Sequence, residues 1–332
     1  MIHYTDRIYV AGHTGMVGSA IVRQLIRLGH PRSHIITRTR IELDLSNQAA
    51  VQTFFAQEKP DHVYLAAAQV GGIHAHHAQP ARFVHQNLLI QANVVDAAFQ
   101  AGVKKLLLLA SSNSYPTTAR QPMAEEDLLN GPLDTLLLAS TVPQIAGIKL
   151  CESYNQQYGN SHGLDYRCVV SCNVYGPGDT YDLHSPVIPT LIQHCHGALL
   201  QASPRVVVAG SDTVRREFLF VDDMAEACVY LMELPKAAYA EHTLPSRSHI
   251  NVGFGHDVSI EDLAQMVANV VGYTGHMVFD NTRPESPVRR LPDCSRLKSL
   301  GWEPLMDLET GLELSYMDYR LHHTARPLQS HA

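Results

Sequence analysis

The chain has 332 residues, of which 45% are hydrophobic and 17% are charged, and this length can bury the core of one large domain or of two smaller ones. A formal net charge of −7 gives no basic surface for nucleic acid or for an anionic membrane. Six scattered cysteines without a CxxC pair, no apolar run of roughly 20 residues and no secretory signal in residues 1–9 lead us to expect a reduced, cytoplasmic protein.

The first half alternates short apolar runs, typical of buried parallel strands, with helical stretches. The predicted strands are Arg7–Ala11, His34–Thr37, His62–Ala66, Lys104–Leu109 and Tyr166–Ser171. The predicted helices are Met16–Leu28, Gln48–Gln57, Phe83–Ala101 and Gln144–Tyr158. This order predicts an α/β fold with a Rossmann-type, doubly wound parallel sheet.

From about Tyr175 the order becomes irregular and rich in loops. The predicted elements are helices at Ser185–His196, Val221–Leu234 and Ser259–Val271, strands at Arg205–Ala209, His249–Val252 and His276–Phe279, and a polar linker at 238–248. We predict a dinucleotide-binding domain over residues 1–174, with return segments at about 213–230 and 249–257. The segments 175–212 and 231–325 are predicted to form a smaller C-terminal lobe that binds the substrate.

The first strand leads directly into a glycine-rich loop and then into a helix. The loop consists of Gly12, His13, Thr14, Gly15, Met16, Val17 and Gly18. Its glycines permit a tight turn and let backbone N–H groups approach a pyrophosphate, which the helix N-terminus also attracts. This strand, loop and helix predict a dinucleotide site.

The second strand is followed by two arginines, Arg38 and Arg40. A site that prefers NAD usually has Asp or Glu here for the ribose hydroxyls, whereas two guanidinium groups suit the 2′-phosphate of NADP(H). Asp44 and Leu45 suit an adenine contact, and Ala66, Ala67 and Ala68 close a strand beside the cofactor. We therefore predict NADP(H), with surface arginines that bind no ligand as the alternative.

Histidine is frequent, with 20 residues in the chain, and His74, His76 and His77 cluster. A metal site needs convergent ligands at suitable spacings, and these spacings match no ligand pattern. We predict no metal.

Several longer motifs resemble one family. They are Gly12–Ile21, Val63–Ala68 with Val70–Ile73, Gln86-Asn87, Gln121–Glu125, Ile145–Asn155, Asn173–Pro177, Arg216–Met224 and His249–Gly253. Over nearly its whole length the chain resembles the GDP-L-fucose synthases, extended short-chain dehydrogenase/reductases. Members are NADPH-dependent 3,5-epimerases and 4-reductases of GDP-4-keto-6-deoxy-mannose. The resemblance implies a nucleotide-sugar lobe, Asn87 beside the cofactor, and a homodimer built through the helices Phe83–Ala101 and Gln144–Tyr158.

The family's chemistry requires a tyrosine that exchanges a proton at the sugar C4 oxygen and a lysine four residues later. The lysine binds the nicotinamide ribose and lowers the tyrosine pKa. The Ile145–Asn155 motif fixes the register, and these positions fall on Ser140 and Gln144. A serine hydroxyl is far less acidic than a phenol, and Gln144 carries no charge. Pro143 also changes the expected start of this helix.

The family's epimerase pair is a cysteine after Ser-Ser and a histidine before Val-Ile-Pro. These positions fall on Asn113 and Pro186. His184 lies two residues before Pro186, in a loop one residue shorter, so a shifted histidine is an alternative. Ser111 is the remaining member of the usual Ser-Tyr-Lys set, or simply a serine that ends a strand.

The substrate positions are mixed. We assign Asn173, Val174, Val187, His194, Arg216 and Arg283 to the substrate site. Asn173, Arg216 and Arg283 match family positions that contact the substrate, whereas Ala209 replaces an aromatic residue and His194 replaces an arginine. The substrate is therefore expected to be a nucleotide sugar or another anionic small molecule.

Three functions fit these residues. In the first, the chain is an enzyme diverged to other chemistry that uses groups such as Ser111, Tyr115, Asp182 or His184. In the second, it is a GDP-sugar epimerase/reductase with relocated acid and base groups. In the third, it is a non-catalytic cofactor-binding protein or partner subunit. The intact glycine loop favours retained NADP(H) binding in all three. Loss of four catalytic positions, each typically worth about 10²–10⁴-fold in rate, favours the first.

Overall fold

The computed structural model describes residues 2–69, 78–182, 185–210, 213–280 and 289–323, with the backbone alone for Ala209. The strands are β1 Ile8–Ala11, β2 Ile35–Ile36, β3 His62–Leu65, β4 Lys105–Ser111, β5 Asp165–Ser171, β6 Asn173–Tyr175, β7 Arg205–Ala209, β8 Arg215–Phe220, β9 His249–Val252, β10 Asp257–Ser259, β11 His276–Asp280 and β12 Arg289–Arg290. The helices are α1 Met16–Arg27, α2 Gln48–Glu58, α3 Pro80–Gln100, α4 Leu138–Tyr158, α5 Val187–Leu200, α6 Val221–Glu233, α7 Lys236–Glu241, α8 Ile260–Val271, α9 Ser295–Ser299 and α10 Leu308–His322.

Six strands form one parallel sheet in the order β2-β1-β3-β4-β5-β9. The chain runs from β1 outward to β2 and then returns to β3 on the other side of β1. This reversal opens a crevice at the carboxyl ends of β1 and β3, where open α/β sheets bind their ligands. The predicted Rossmann-type doubly wound parallel sheet is confirmed.

Helices cover both faces of this sheet because its strands are apolar on both sides. In β1, Ile8 and Val10 belong to one buried cluster and Tyr9 and Ala11 to the other. Helices α1 and α6 supply residues to the first cluster, and α2, α3 and α4 to the second. The two clusters hold the sheet and its crevice in a fixed position.

The amino-terminal edge of the sheet carries a buried charge network. The guanidinium of Arg167 is fully buried, pairs with Asp165 and donates to the carbonyl oxygens of Leu231 and Leu234. Lys105 Nζ donates to the Met232 and Leu234 carbonyls at 2.7 and 3.0 Å. Cations suit the last carbonyls of a helix, so this network stabilises the carboxyl end of α6.

The second part of the fold contains the smaller sheets. Strands β10, β8 and β12 are neighbours in that order, β6 pairs with β8, and β7 pairs with β11. Helices α5, α8 and α10 pack a third apolar cluster against them. The segment 213–230 was expected to return to the dinucleotide-binding domain. Its helix α6 packs on the large sheet, whereas its strand β8 belongs to the smaller sheet β10-β8-β12.

Several boundaries differ from the sequence expectation. The helix expected at Gln144 begins at Leu138, so Pro143 is its sixth residue and lies inside it rather than in its first turn. Helices α9 and α10 and strand β8 were not predicted at all. All six cysteines are free and buried.

No described helix combines the length and the apolar character that crossing a bilayer requires. No described group of three or more His, Cys, Asp or Glu side chains could hold a metal ion. The histidine cluster at 74–77 lies outside the described residues.

Candidate functional site

The glycine loop closes tightly on itself and on the end of β3. Gly12 has a φ of +86°, and a Cβ at this residue would lie 2.8 Å from backbone atoms of Ala66 and Ala67. A Cβ at Gly18 would lie 2.2 Å from the carbonyl oxygen of Gly12. Both positions therefore require glycine.

The start of α1 is suited to an anion. Its N-cap residue, Gly15, provides no side-chain hydrogen bond to the first turn, and the first turn holds no acidic residue. The N–H groups at such a helix end attract a phosphate, and the helix dipole adds to the attraction. Thr14 is exposed at the surface of the loop, while Met16 and Val17 are half-buried. Nδ1 of His13 is buried without a partner among the described residues.

The two predicted arginines differ in their surroundings. Arg38 forms an ion pair with Glu58, donates to the Thr37 carbonyl at 2.8 Å and lies over the Phe54 ring. Arg40 is exposed and donates to Oε1 of Gln69 at 2.9 Å. Arg40 is therefore the more accessible of the two cations for a 2′-phosphate.

The residues expected at the adenine have local partners. The carboxylate of Asp44 accepts from the Ser46 hydroxyl at 2.7 Å, and the Leu45 side chain is buried in the core. The Leu45 carbonyl accepts from Nδ2 of Asn93 at 3.0 Å. Leu45 can thus contact a cofactor through its backbone but not through its side chain.

A cavity of about 200 Å³ lies at the carboxyl ends of β3 and β4, between α3 and α4. It is lined by Leu65, Ala66, Ala67, Ala68, Gln69, Asn87, Gln91, Leu108, Leu109, Asn113, Ser140 and Gln144. Seven predicted site residues, the three alanines, Asn87, Asn113, Ser140 and Gln144, are thus brought together in one cavity. Because Gly12 packs on Ala66, the cavity adjoins the glycine loop.

Asn87 shapes the wall of this cavity. Its Oδ1 accepts from the Gln69 N–H at 2.7 Å, and its Nδ2 donates to the Gln69 carbonyl at 3.0 Å. Both ends of the amide are therefore engaged in fixing the chain after β3. In the structure Asn87 holds the backbone of Gln69, and its contact with a cofactor stays a prediction.

Gln144 faces the end of β4. Its Oε1 accepts from the Ser111 N–H and from the Ser114 hydroxyl, both at 2.9 Å. A backbone N–H can only donate, so the amide oxygen must point towards Ser111. Gln144 can therefore offer the two N–H donors of its Nε2 to a ligand in the cavity.

The hydroxyl groups near the cavity are also engaged. The Ser140 hydroxyl donates to the Leu137 carbonyl at 3.0 Å. The Ser111 oxygen accepts from the Asn113 N–H at 3.3 Å and lies beside the cavity rather than on its lining. Ser111, Asn113 and Ser140 are thus close neighbours without an ionisable partner in the lining.

The lining is chemically uniform. Within the described part of the chain, its twelve residues are apolar side chains, amides and one hydroxyl, and none of them is acidic, basic, a histidine, a cysteine or a tyrosine. A general acid or base needs a pKa near the working pH. The described lining can therefore contact and orient a ligand, but it offers no group for proton transfer.

The structure places Tyr115 outside the cavity. Its side chain is fully buried, donates to Oδ1 of Asn251 at 2.7 Å and lies 3.1 Å from Nε2 of His249. Burial raises its pKa well above the usual value. Tyr115 is therefore part of the core between β4 and β9, away from the cavity.

The predicted substrate residues are distributed over the smaller sheets and α5. Nδ2 of Asn173 donates to the Glu217 carbonyl at 2.9 Å, and Arg216 donates to the Arg215 carbonyl at 2.7 Å. Val174 is half-buried in β6, Val187 begins α5, and His194 is exposed two turns later on α5. His184, Arg283 and the Ala209 side chain lie outside the described residues.

Glu217, which the sequence did not single out, lies beneath these residues. Its carboxylate is fully buried and accepts from the Gly255 N–H at 2.5 Å. Burial raises its pKa to about 7. A sequence signal was present in the motif Arg216–Met224, but only the fold shows that the Glu217 side chain points inward.

Comparison with known proteins gives one consistent result. Residues 8–253 match the NAD dependent epimerase/dehydratase family. The chain is 50% identical over 312 residues to GDP-L-fucose synthase of Escherichia coli (strain K12), covering 94% of this chain and 95% of that protein. It is 31% identical to GDP-L-colitose synthase of Yersinia pseudotuberculosis, covering 92% of this chain and 95% of that protein.

Solved structures agree with this result. A GDP-mannoheptose C4 reductase from Campylobacter jejuni with NADP bound has a TM-score of 0.85 and 36% identity, and the match covers 96% of this chain and all of that one. A GDP-D-glycero-L-gluco-heptose synthase from the same organism, in the presence of NADPH, has a TM-score of 0.87 and 34% identity over 96% of this chain and all of that one.

Proposed function

This chain belongs to the NAD dependent epimerase/dehydratase family and, within it, to the GDP-L-fucose synthases and related extended short-chain dehydrogenase/reductases; on that premise, we propose that it binds NADP(H) but has diverged from the family's usual reaction. Its substrate is a nucleotide sugar or a similar anionic small molecule. Its chemistry does not pass through the tyrosine and lysine pair that the family uses, because Ser140 and Gln144 occupy those positions.

One observation carries this proposal. The described lining of the cavity contains no side chain that titrates near neutral pH. Reduction of a sugar ketone adds a hydride to carbon and a proton to oxygen, so the site must deliver a proton. A positioned acid or base typically contributes about 10²–10⁴-fold to such a step.

The cofactor assignment is supported by the glycine loop and by Arg40. The first turn of α1 offers backbone N–H groups to a pyrophosphate, and Gly12 and Gly18 leave room for it. Arg40 supplies an exposed guanidinium for a 2′-phosphate. When bound, the cofactor supplies or accepts a hydride, and the amide N–H groups of Gln144 can orient its nicotinamide half.

Binding of an anionic substrate is supported by Arg216 and by Asn173 on the neighbouring strand β6, together with Arg283. Strand β8 places Arg216 in register with Arg290 of β12. Arg290 is buried and paired with Asp134, so the guanidinium that this strand pair contributes to a diphosphate is that of Arg216.

We also propose a homodimer through α3 and α4. Leu88 on α3 is 37% exposed and Val142 on α4 is 41% exposed, and Ala92 and Ala146 continue this surface. Exposed apolar residues on two packed helices suit a four-helix contact with a second copy. Val142→Glu would place a charge in that contact and is expected to give a monomer by analytical ultracentrifugation; an unchanged dimer would argue against this contact.

A second candidate is the unchanged activity, 3,5-epimerisation and 4-reduction of GDP-4-keto-6-deoxy-mannose with relocated acid and base groups. The identity of 50% to the Escherichia coli enzyme favours it, and His184 is the residue best placed in the sequence to serve.

The two candidates are separated by measuring binding and turnover on the same protein. The first step is a fluorescence titration with NADPH and NADH, for which we expect saturable binding that is tighter for NADPH. The second step is steady-state NADPH oxidation with GDP-4-keto-6-deoxy-mannose. We expect a rate at least about 100-fold below a typical enzyme turnover number of 1–10³ per second. A normal rate would establish the second candidate instead.

A further inference from the structure

A hydrogen bond links Arg40, the residue assigned to the 2′-phosphate, to the wall of the cavity. Oε1 of Gln69 accepts from Nη1 of Arg40 at 2.9 Å, and Gln69 itself lines the cavity beyond the end of β3. Arg40 follows β2 and Gln69 follows β3, and these strands lie on either side of β1 in the sheet. The bond therefore joins the two segments that flank the start of the glycine loop, at the crevice where such sheets bind a dinucleotide.

The backbone of Gln69 is fixed, so its side chain has a defined origin. Oδ1 of Asn87 accepts from the Gln69 N–H at 2.7 Å, and Nδ2 of Asn87 donates to the Gln69 carbonyl at 3.0 Å. Asn87 is buried on α3. Gln69 is half-buried, whereas Arg40 is exposed. Gln69 is thus the anchored partner, and its amide oxygen restrains the longer side chain of Arg40.

The two arginines after β2 differ in the charge of their partners. Arg38 pairs with the carboxylate of Glu58, which offsets its positive charge. Arg40 is bonded to a neutral amide oxygen, which accepts a hydrogen bond but carries no net charge. The amide therefore holds the guanidinium in one place and leaves its charge to attract a phosphate.

A carboxylate also lies near Arg40, but it is bonded elsewhere. Hydrogen bonds from Ser46 lower the pKa of Asp44, and the charge of Arg40 adds to that shift. Oδ1 of Asp44 accepts from the Ser46 hydroxyl at 2.7 Å and from the Ser46 N–H at 3.0 Å. Asp44 is thus directed to its own turn, and the hydrogen bond to Gln69 sets the direction of Arg40.

We propose that Gln69 determines the preference for NADP(H) over NAD(H), because its amide oxygen positions the Arg40 guanidinium for the 2′-phosphate without neutralising it. The inference rests on the proposed function in one respect, namely the assignment of Arg40 to that phosphate. Gln69 is a positioning residue, since it acts through Arg40. Changes at Gln69 should therefore alter the affinity for NADPH, which carries the phosphate, and not that for NADH.

Two substitutions separate the position of the Arg40 guanidinium from its charge. Gln69→Glu keeps the length and the acceptor but gives Arg40 a carboxylate partner, as Arg38 has in Glu58. Gln69→Met keeps the length and removes the acceptor. Gln100→Glu is the matched control, because Gln100 is exposed at the end of α3, before β4 begins, and so lies at the opposite edge of the sheet from the cavity.

The experiment measures dissociation constants for NADPH and NADH by fluorescence titration of the full chain, with the thermal midpoint of each variant. We expect Gln69→Glu to weaken NADPH binding by about five- to tenfold, because it offsets the charge of Arg40 and repels the phosphate. Gln69→Met should weaken it by about two- to threefold, since Arg40 keeps its charge but loses its restraint. NADH binding should stay within about twofold in both, as should both coenzymes in Gln100→Glu.

A double substitution tests whether Gln69 acts through Arg40. In an Arg40→Ala background, Gln69→Met should cause no further loss of NADPH affinity, because the group that it positions is absent. A loss as large as the one that Gln69→Met causes in the wild type would show that Gln69 acts independently of Arg40, and would contradict the inference.

The remaining outcomes distinguish the inference from the proposed function. A Gln69→Glu protein that keeps the wild-type ratio of NADPH to NADH affinity, or that loses both equally, would overturn the inference and leave NADP(H) binding intact. A wild-type protein that binds NADPH no more tightly than NADH would instead overturn the assignment of Arg40 in the proposed function, and the inference with it.

Discussion

The glycine loop, which adjoins the cavity, and helix α4, which lines it, differ in how they can bind a ligand. On one side, the glycine loop of residues 12–18 offers backbone N–H groups, and its shape depends on the absence of a Cβ at Gly12 and Gly18. On the other side, the first two turns of α4 offer the side chains of Ser140 and Gln144.

This difference explains how the two sides can diverge independently. Phosphate binding by a loop depends on backbone shape, so it persists as long as a few small residues persist. Proton transfer depends on the pKa of particular side chains, so two substitutions can remove it without disturbing the fold. In our proposal, this chain retains the first property and has changed the second.

The largest effect is expected at the loop. Gly18→Ala would place a Cβ 2.2 Å from the Gly12 carbonyl oxygen, so the loop must move away from its phosphate-binding shape. We expect NADPH binding to weaken by on the order of 100-fold in a fluorescence titration. Gly15→Ala is the control, because its Cβ would lie 3.4 Å from the same oxygen. Equal effects of the two variants would argue against this account of the loop.

The next largest effect concerns the other side. Ser140→Tyr combined with Gln144→Lys restores the family's acid and its cation, and we expect NADPH oxidation with GDP-4-keto-6-deoxy-mannose to rise at least about tenfold. Lysine cannot accept from the Ser111 N–H, so the free energy of unfolding should fall by about 1–3 kcal/mol. Ser140→Phe with Gln144→Met matches the bulk without the chemistry. A gain in this control pair would show that shape, not proton transfer, limits the rate.

The third effect concerns the buried carboxyl of Glu217, which lies outside the cavity lining and makes the stability depend on pH. Burial raises the pKa of Glu217 from 4.5 to about 7, so the folded state disfavours its charge. The stability that this group contributes is present below about pH 4.5 and is lost as the pH rises through about 7. Over that range the loss is on the order of 3 kcal/mol.

Glu217→Gln removes this titration. Its unfolding free energy, measured with urea between about pH 5 and pH 8, should fall less steeply with rising pH than that of the wild type. Identical slopes would contradict the burial of an ionisable carboxyl here. At a fixed pH, Glu217→Gln should leave NADPH affinity unchanged, because Glu217 does not line the described cavity.

The smallest effect is expected at Arg40, the residue that we assign to the 2′-phosphate on the ribose of NADPH. Arg40→Ala should weaken NADPH binding by about fivefold and leave NADH binding unchanged, because an exposed guanidinium contributes modestly to a phosphate contact. Arg38→Ala should have a smaller effect, since Arg38 already pairs with Glu58. A larger loss of NADPH affinity in Arg38→Ala than in Arg40→Ala would assign the 2′-phosphate to Arg38 instead.

Local patterns made part of this structure predictable. Strand β1, the glycine loop and α1 follow each other directly, so the sequence alone indicates their geometry. Ala66–Ala68 come directly after a buried strand, and the parallel sheet then places them beside that loop. The assignment of Ser140 and Gln144 to the family's tyrosine and lysine positions rests on the register of the Ile145–Asn155 motif and stays a prediction, while the structure places both residues in the cavity lining.

Other features depend on contacts between distant segments. The buried position of Tyr115 could not be predicted locally, because its partners, His249 and Asn251, lie more than 130 residues away in the chain. The hydrogen bonds of Gln144 and the unpaired oxygen of Gln91 arise where α3, α4 and β4 meet, and no local sequence pattern encodes them. Helix α4 began earlier than expected because Pro143 is tolerated inside it, packed against the core.

The central claim is that this protein holds NADP(H) without the usual means of proton transfer. It is tested most directly in a single turnover, with protein in excess over NADPH so that all cofactor is bound before GDP-4-keto-6-deoxy-mannose is added. We predict that the nicotinamide absorbance stays constant over seconds, although a parallel titration shows NADPH binding. Oxidation of the bound NADPH at about 1–10³ per second would contradict the claim.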